Sequence, residues 1–267
     1  MIYLDNAATS LTKPREVIEA VVQAMQSMGN CGRGTHTGSQ SAARAVYQAR
    51  VKIARFLGCA RAERVIFTAN ATHSLNIAIS GLFAPGDHVI TTVAEHNSVL
   101  RPLYRLEREQ GLSIDPIPAD EKGNLCLNKL PQLLKSNTKA IVCTHASNLT
   151  GNVTDLKEIS AFAKTHGLLL VVDASQSAGF LPIHMEKMGI DVLCVTGHKG
   201  LLGPQGIGCL CLGQGVEIRP FMVGGTGVQS YSRIQPAQLP ERLEAGTLNA
   251  HAIAGLSAAI DYIGEVG

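Results

Sequence analysis

Seven short apolar runs, separated by helical or turn-forming stretches, constrain the fold of this 267-residue chain more than any other feature. They are Val65-Ile66-Phe67-Thr68, His88-Val89-Ile90-Thr91-Thr92, Ser113 to Pro118, Ala140 to His145, Leu168 to Asp173, Val192 to Thr196 and Gly206 to Leu212. Several are apolar along their whole length, the pattern of strands buried on both faces. Helical spacing of Val17, Ile18, Val21, Val22, Met25 and Met28 predicts a first helix, and a second runs from about Gln40 to Leu57. Thr72 to Leu82, Asn97 to Glu109, Leu127 to Lys135 and Asp155 to Thr165 read as further helices. Such alternation builds an α/β fold, a mainly parallel seven-stranded sheet with helices on both faces. Ligands then bind beyond the carboxyl ends of the strands.

Two of those ends carry complementary chemistry. Leu168 to Val172 delivers Asp173-Ala174-Ser175-Gln176, and Val192 to Thr196 delivers Gly197-His198-Lys199-Gly200. A lysine amine can bind the aldehyde of pyridoxal 5'-phosphate (PLP), and a carboxylate can keep that cofactor's ring nitrogen protonated. Each residue also has a plainer reading: Lys199 as a solvated loop residue, Asp173 as a turn or cap.

Composition excludes other classes. The net charge of +2 is too small to suggest a nucleic-acid partner. No apolar run approaches a membrane span, and Met1 to Asn6 has no signal-peptide character. The seven Cys form no C-x-x-C pair, so a reducing cytoplasm is the expected location. Cys143, Cys194, Cys209 and Cys211 fall in strands and are expected in the core. No G-x-G-x-x-G follows an early strand, which disfavours a dinucleotide-binding dehydrogenase.

Nine segments, taken in order, resemble the class V aminotransferase family, and within it the cysteine desulfurases and selenocysteine lyases. They are Tyr3-Leu4-Asp5-Asn6-Ala7-Ala8-Thr9, Arg33-Gly34-Thr35-His36, Asn70-Ala71-Thr72-His73-Ser74-Leu75-Asn76, Glu95-His96-Asn97-Ser98, Ser147-Asn148-Leu149-Thr150-Gly151, Asp173-Ala174-Ser175-Gln176, Gly197-His198-Lys199, Gly224-Gly225-Thr226 and Glu244-Ala245-Gly246-Thr247-Leu248-Asn249. The resemblance implies the large domain of a fold type I PLP-dependent transferase. It implies an N-terminal arm at 1–14, a cofactor domain at 15–250, and at 251–267 the start of a helix leading to a C-terminal small domain. The family's sulfur-accepting Cys and carboxylate-binding Arg belong to that small domain, so the chain is expected to be the cofactor domain of a longer protein. The helix with Ile253, Leu256, Ala259, Ile260 and Ile263 is expected to expose an apolar face there.

The resemblance also assigns roles. Lys199 becomes the cofactor lysine, Asp173 the ring-nitrogen partner and Gln176 the donor to the phenolic oxygen. His96 becomes the residue stacked on the ring, with a possible part in proton transfer. Ala71, Thr72, His73, Thr196 and His198 become phosphate ligands, although Thr72 could equally be a helix cap and His198 could pack on the sheet edge. Asn148 is expected near cofactor and substrate carboxylate, and His36 near the substrate entrance. Thr226 is expected to reach a partner subunit's phosphate, which implies a homodimer; otherwise Gly224 to Gly227 is a flexible turn. The implied reaction removes sulfur from L-cysteine, with a sulfur-acceptor protein as a further partner. Selenocysteine lyase activity, another amino-acid substrate, or PLP binding without turnover are the alternatives.

Overall fold

All seven apolar runs enter one sheet. In the computed structural model, which describes residues 2–31 and 37–266, the strands are β1 (Val65–Thr68), β2 (His88–Thr92), β3 (Ser113–Ile117), β4 (Thr138–Thr144), β5 (Leu169–Asp173), β6 (Val192–Thr196) and β7 (Gly208–Leu212). Their spatial order is β1-β7-β6-β5-β4-β2-β3. Every neighbouring pair is parallel except those made by β7, which runs antiparallel to both β1 and β6. The other six strands therefore point the same way. This puts the end of β1, the end of β5 and the end of β6 on one rim, where a ligand meets exposed backbone and loop side chains.

The helices are α1 (Arg15–Ser27), α2 (Thr37–Leu57), α3 (Ala71–Leu82), α4 (Asn97–Gln110), α5 (Leu130–Leu133), α6 (Leu156–Thr165) and α7 (Ala250–Val266). Two apolar layers cover the two faces of the sheet. One joins α2, α6 and α7 to the side chains of Ile141, Val172 and Leu193. The other joins α3 and α4 to Val142, Val171 and Cys194. Alternate strand residues thus serve opposite layers, as the two-residue period requires. Cys143, Cys194, Cys209 and Cys211 are buried in these layers as expected.

Two expectations fail. Leu127 to Lys135 is a 3-10 turn, Leu127–Lys129, followed by the single α-turn α5, because Pro131 has no N–H to continue the preceding turn. The apolar face of α7 is not left open: Ala252, Ile253, Leu256, Ala259 and Ile260 are buried. Gly255 lets α7 approach closely, since a Cβ there would lie 2.7 Å from both Val21 of α1 and Pro204. Exposed apolar surface sits instead on α1, at Ile18, Val22 and Met25. Among the described residues no helix is long and apolar enough to cross a membrane.

Candidate active site

The loops after β5 and β6 meet backbone to backbone. A Cβ at Gly200 would come 2.5 Å from the carbonyl oxygen of Ala178, so only glycine allows that approach next to Lys199. A tight turn follows, with Leu202 N–H donating to Lys199 O (2.9 Å) and Gly203 N–H to Gly197 O (2.8 Å). Leu202 adopts φ 57°, a left-handed conformation that Leu takes only when its surroundings hold it there. The cofactor lysine candidate is therefore carried by a constrained loop.

Lys199 and Asp173 line the same cavity, of ≈ 520 Å³, at the carboxyl ends of β1, β4, β5 and β6. Asp173 is 4% exposed. Its Oδ1 accepts bonds from Ser175 N–H (2.9 Å) and Ser175 Oγ (2.5 Å), and it forms no ion pair among the described residues. Burial raises its pKa, opposed by the Ser175 bonds and by the nearby charges of Lys199 and His96. Burial lowers the pKa of Lys199, against the pull of Asp173. Burial thus works against the charged form of each group, an arrangement typical of functional sites.

Behind this pair lies a second buried acid that sequence reasoning missed. Glu95 is 8% exposed; its Oε1 accepts from Thr92 Oγ1 (2.6 Å) and Thr144 N–H (2.8 Å), while Oε2 has no partner. Burial pushes its pKa up to about 8, so it is neutral at pH 7. The adjacent His96 is the N-cap of α4, where its Nδ1 accepts from Ser98 N–H (3.1 Å), and its ring borders the cavity.

The other wall is the start of α3. Its N-cap is Asn70, not Thr72: Asn70 Oδ1 accepts from His73 N–H (2.9 Å). That bond already occupies the His73 amide, and His73 does not border the cavity. Ala71 and Thr72 do, and as first-turn residues their amides have no helical carbonyl to bind. Thr72 Oγ1 lies 2.8 Å from Ser98 Oγ. Across the cavity, the buried Thr196 Oγ1 has no hydrogen-bond partner. Burial, then the charges of Lys199 and Lys13, lower the pKa of His198. A helix N-terminus, orphaned hydroxyl and cation together form a site of the kind that anions fill. Asn148 borders the cavity and is exposed.

Sequence reasoning also missed part of the N-terminal arm. Asp5, Ala7 and Ala8 line the cavity, and Gln176 Nε2 donates to Ala7 O (3.0 Å). A rule based on strand ends could not find them, although Tyr3 to Thr9 was already singled out by its likeness to the family. Thr226 is not brought to Lys199. It lines a larger cavity of ≈ 640 Å³ with Arg50, Glu244 and Leu248, and its Oγ1 donates to Val228 O (3.4 Å). Size does not decide between the cavities: Arg50 and Glu244 already satisfy each other, whereas the smaller cavity holds unpaired groups. His36 lies outside the described residues. No Cys and no Arg is among the described residues lining the smaller cavity, and no described cluster of His, Cys, Asp or Glu could hold a metal ion.

Comparison with known proteins agrees with this architecture. A probable cysteine desulfurase of Pyrococcus abyssi is 37% identical over the whole chain, which spans 68% of that protein. The apo structure of a cysteine desulfurase from Thermococcus onnurineus NA1 superposes with a TM-score of 0.94 at 38% identity, covering all of this chain and 68% of that one. A structure of SspA in complex with cysteine covers 98% of this chain and 73% of its own, with a TM-score of 0.86 at 29% identity. The chain thus spans about two thirds of these relatives, and the match to the aminotransferase class-V family extends over residues 2–267. With that family match, a backbone that superposes closely on a cysteine desulfurase, and a lysine and an aspartate past its strand ends, the chain belongs to the aminotransferase class-V family.

Proposed function

We propose that this chain is the cofactor-binding domain of a PLP-dependent cysteine desulfurase, which converts L-cysteine to L-alanine and passes the sulfur to a thiol. One observation carries the reading: a buried, unpaired Asp173 and a half-buried Lys199 of lowered pKa face one cavity whose far wall is suited to an anion. When bound, PLP supplies an electron sink that stabilises negative charge at the substrate's α-carbon.

The chain's own residues do the rest. Asp173, buried and without an ion-pair partner, would keep the cofactor's ring nitrogen protonated. Lys199, made less basic by burial, would hold the cofactor's aldehyde and could take up and return a proton beside the substrate's α-carbon. His96, on the cavity wall, would stack on the cofactor ring. Gln176 spends one amide hydrogen on Ala7 O and has a second for the phenolic oxygen. Ala71, Thr72, Thr196 and His198 would hold the phosphate, while the His73 amide, bound to Asn70, would serve through the helix cap. Asn148 and His36 orient the substrate. Thr226, away from this cavity, serves the site of a second subunit in a homodimer. A thiol that attacks the substrate sulfur leaves as a persulfide, so cysteine plus thiol gives alanine plus persulfide. The seven free thiols fit a reducing, cytoplasmic setting.

A second reading is PLP binding without turnover, favoured by the absence of Arg and Cys among the described residues lining the cavity. Borohydride reduction after incubation with PLP, followed by peptide mass mapping, is expected to place the pyridoxyl group on Lys199. Finding it on another lysine, or nowhere, rejects the assignment. In a protein of the relatives' full length, Asp173→Asn is expected to bind PLP but lose turnover by about two orders of magnitude or more, as loss of a charge that acts in the transition state does. Sulfide release from cysteine by the 267-residue chain alone would require one of its seven thiols to do the sulfur chemistry.

A further inference from the structure

The peptide that carries Lys199 is gripped by the N-terminal arm. Ser10 N–H donates to His198 O (3.0 Å), and Lys13 Nζ donates to the same oxygen (3.1 Å) and to Ser10 Oγ (2.5 Å). The Ser10 hydroxyl is within reach of His198 O (2.9 Å) and of Lys199 O (3.2 Å). With His198 O already served by the Ser10 amide and the Lys13 ammonium, the hydroxyl can turn its hydrogen to Lys199 O. Thr9 Oγ1 lies 2.9 Å from His198 Nδ1 and 3.2 Å from His198 O. Both contacts hold at once when the imidazole carries its hydrogen on Nδ1 and the Thr9 hydroxyl donates to the carbonyl. The two carbonyls on either side of Lys199 and the preceding imidazole are thus all bound by residues 9–13. Upstream in the arm, Ala7 O is bound by Gln176. Ser10 is 6% exposed, and burial lowers the pKa of Lys13.

We propose that residues 5–13 are a clamp on the Lys199 peptide, with Lys13 as its positioning residue. The ε-amine of Lys199 is held in the cavity only while the arm is docked, and docking of the arm and occupation of the cavity by a phosphorylated aldehyde stabilise each other. Linkage makes this reciprocal: whatever the arm adds to cofactor affinity, the cofactor adds to arm docking. An ammonium bound to a carbonyl is among the stronger hydrogen bonds, and its loss beside a buried Ser10 corresponds to about a tenfold or greater change in affinity.

The clamp rests on the proposed role of Lys199, and hydrogen–deuterium exchange on the wild-type chain with and without PLP separates the two. Slower exchange in residues 5–13 on PLP binding is expected. Lys13→Met, which keeps the aliphatic stem, is expected to bind PLP about tenfold more weakly and to lose that protection, and Lys13→Arg to restore both. Binding is read from the cofactor's absorbance, and the thermal midpoint of each apo variant reports folding. Pyridoxyl label on Lys199 with unchanged arm exchange overturns the clamp alone, as does Lys13→Met with wild-type affinity. Absence of label on Lys199 overturns the proposed function and the clamp with it. Because the exchange comparison uses the wild-type chain, it decides the matter even where a variant fails to fold.

Discussion

Glu244 and Asp173 are both buried carboxylates, 9% and 4% exposed, in very different company. Glu244 meets Arg50 in a two-bond pair (2.7 and 2.9 Å) and also accepts from Phe67 N–H (2.6 Å). Arg50 in turn donates to Val65 O and lies over the Phe67 ring at 4.5 Å. Every charge there has a partner, and the cluster ties α2 to β1 and to the segment before α7. Asp173 has only Ser175, Lys199 lies close without pairing, and Glu95 behind them keeps an orphaned oxygen. A closed cluster of buried charge holds a fold together. An open one raises the free energy of the empty site and lowers it when the missing charges arrive.

The largest test breaks the closed cluster. Arg50→Met leaves Glu244 buried and alone, and should cost about 3–5 kcal/mol of unfolding free energy. A loss below about 1 kcal/mol by urea titration would show that the pair does not support the fold.

The open cluster predicts a pH slope of unusual sign. The folded chain keeps a proton on Glu95 up to about pH 8, whereas the unfolded chain releases it near 4.5. Between those values the folded state binds more protons, so this stability is fully present below the lower value and is lost as pH rises through the upper one. The slope is at most about 1.4 kcal/mol per pH unit. Asp173, also raised by burial, adds the same sign from a lower starting point. Glu95→Gln should flatten the slope near pH 7 to 8 in the apo chain; an unchanged slope would mean that Glu95 is ionised there.

Asp173→Asn sharpens the contrast from the other side. Removing a buried, unpaired charge should leave the apo chain no less stable, with a gain on the order of 1 kcal/mol at pH 8. A marked loss would place Asp173 with the structural charges. At the exposed end of the scale, Lys52→Ala removes a pair with Asp261 that is half in solvent and should change stability by less than about 1 kcal/mol. A larger effect would mean that burial is a poor guide to which charges matter here.

The strands were legible because a strand buried on both faces must be apolar throughout, a condition that runs such as those of β5 and β6 meet, and the ends of all seven shift by no more than two residues. Asp173 and Lys199 were legible because a strand end has few places to put a side chain. Leu127 to Lys135 misled because apolar spacing was read without giving weight to Pro131. The face of α7 misled for a different reason: its partner, α1, lies more than 220 residues away in sequence, and nothing local announces such a contact. Glu95 stood in a family-like segment without a role, because an acid beside a histidine looks like a surface loop until Thr92, Thr144 and Asp173 close around it. The arm's grip on the Lys199 peptide was hidden by the same distance.

That distance has a consequence in time. Thr9 and His198 are 189 residues apart. At ordinary rates of synthesis, roughly 5–20 residues per second, the arm is made about ten to forty seconds before the peptide it grips. During that interval the arm has no docking place, and six of the seven strands are made before the peptide it grips. The residues that bind the carbonyls on either side of Lys199 are thus among the earliest to leave the ribosome, yet they can take up their position only once β6 and the loop after it have been made.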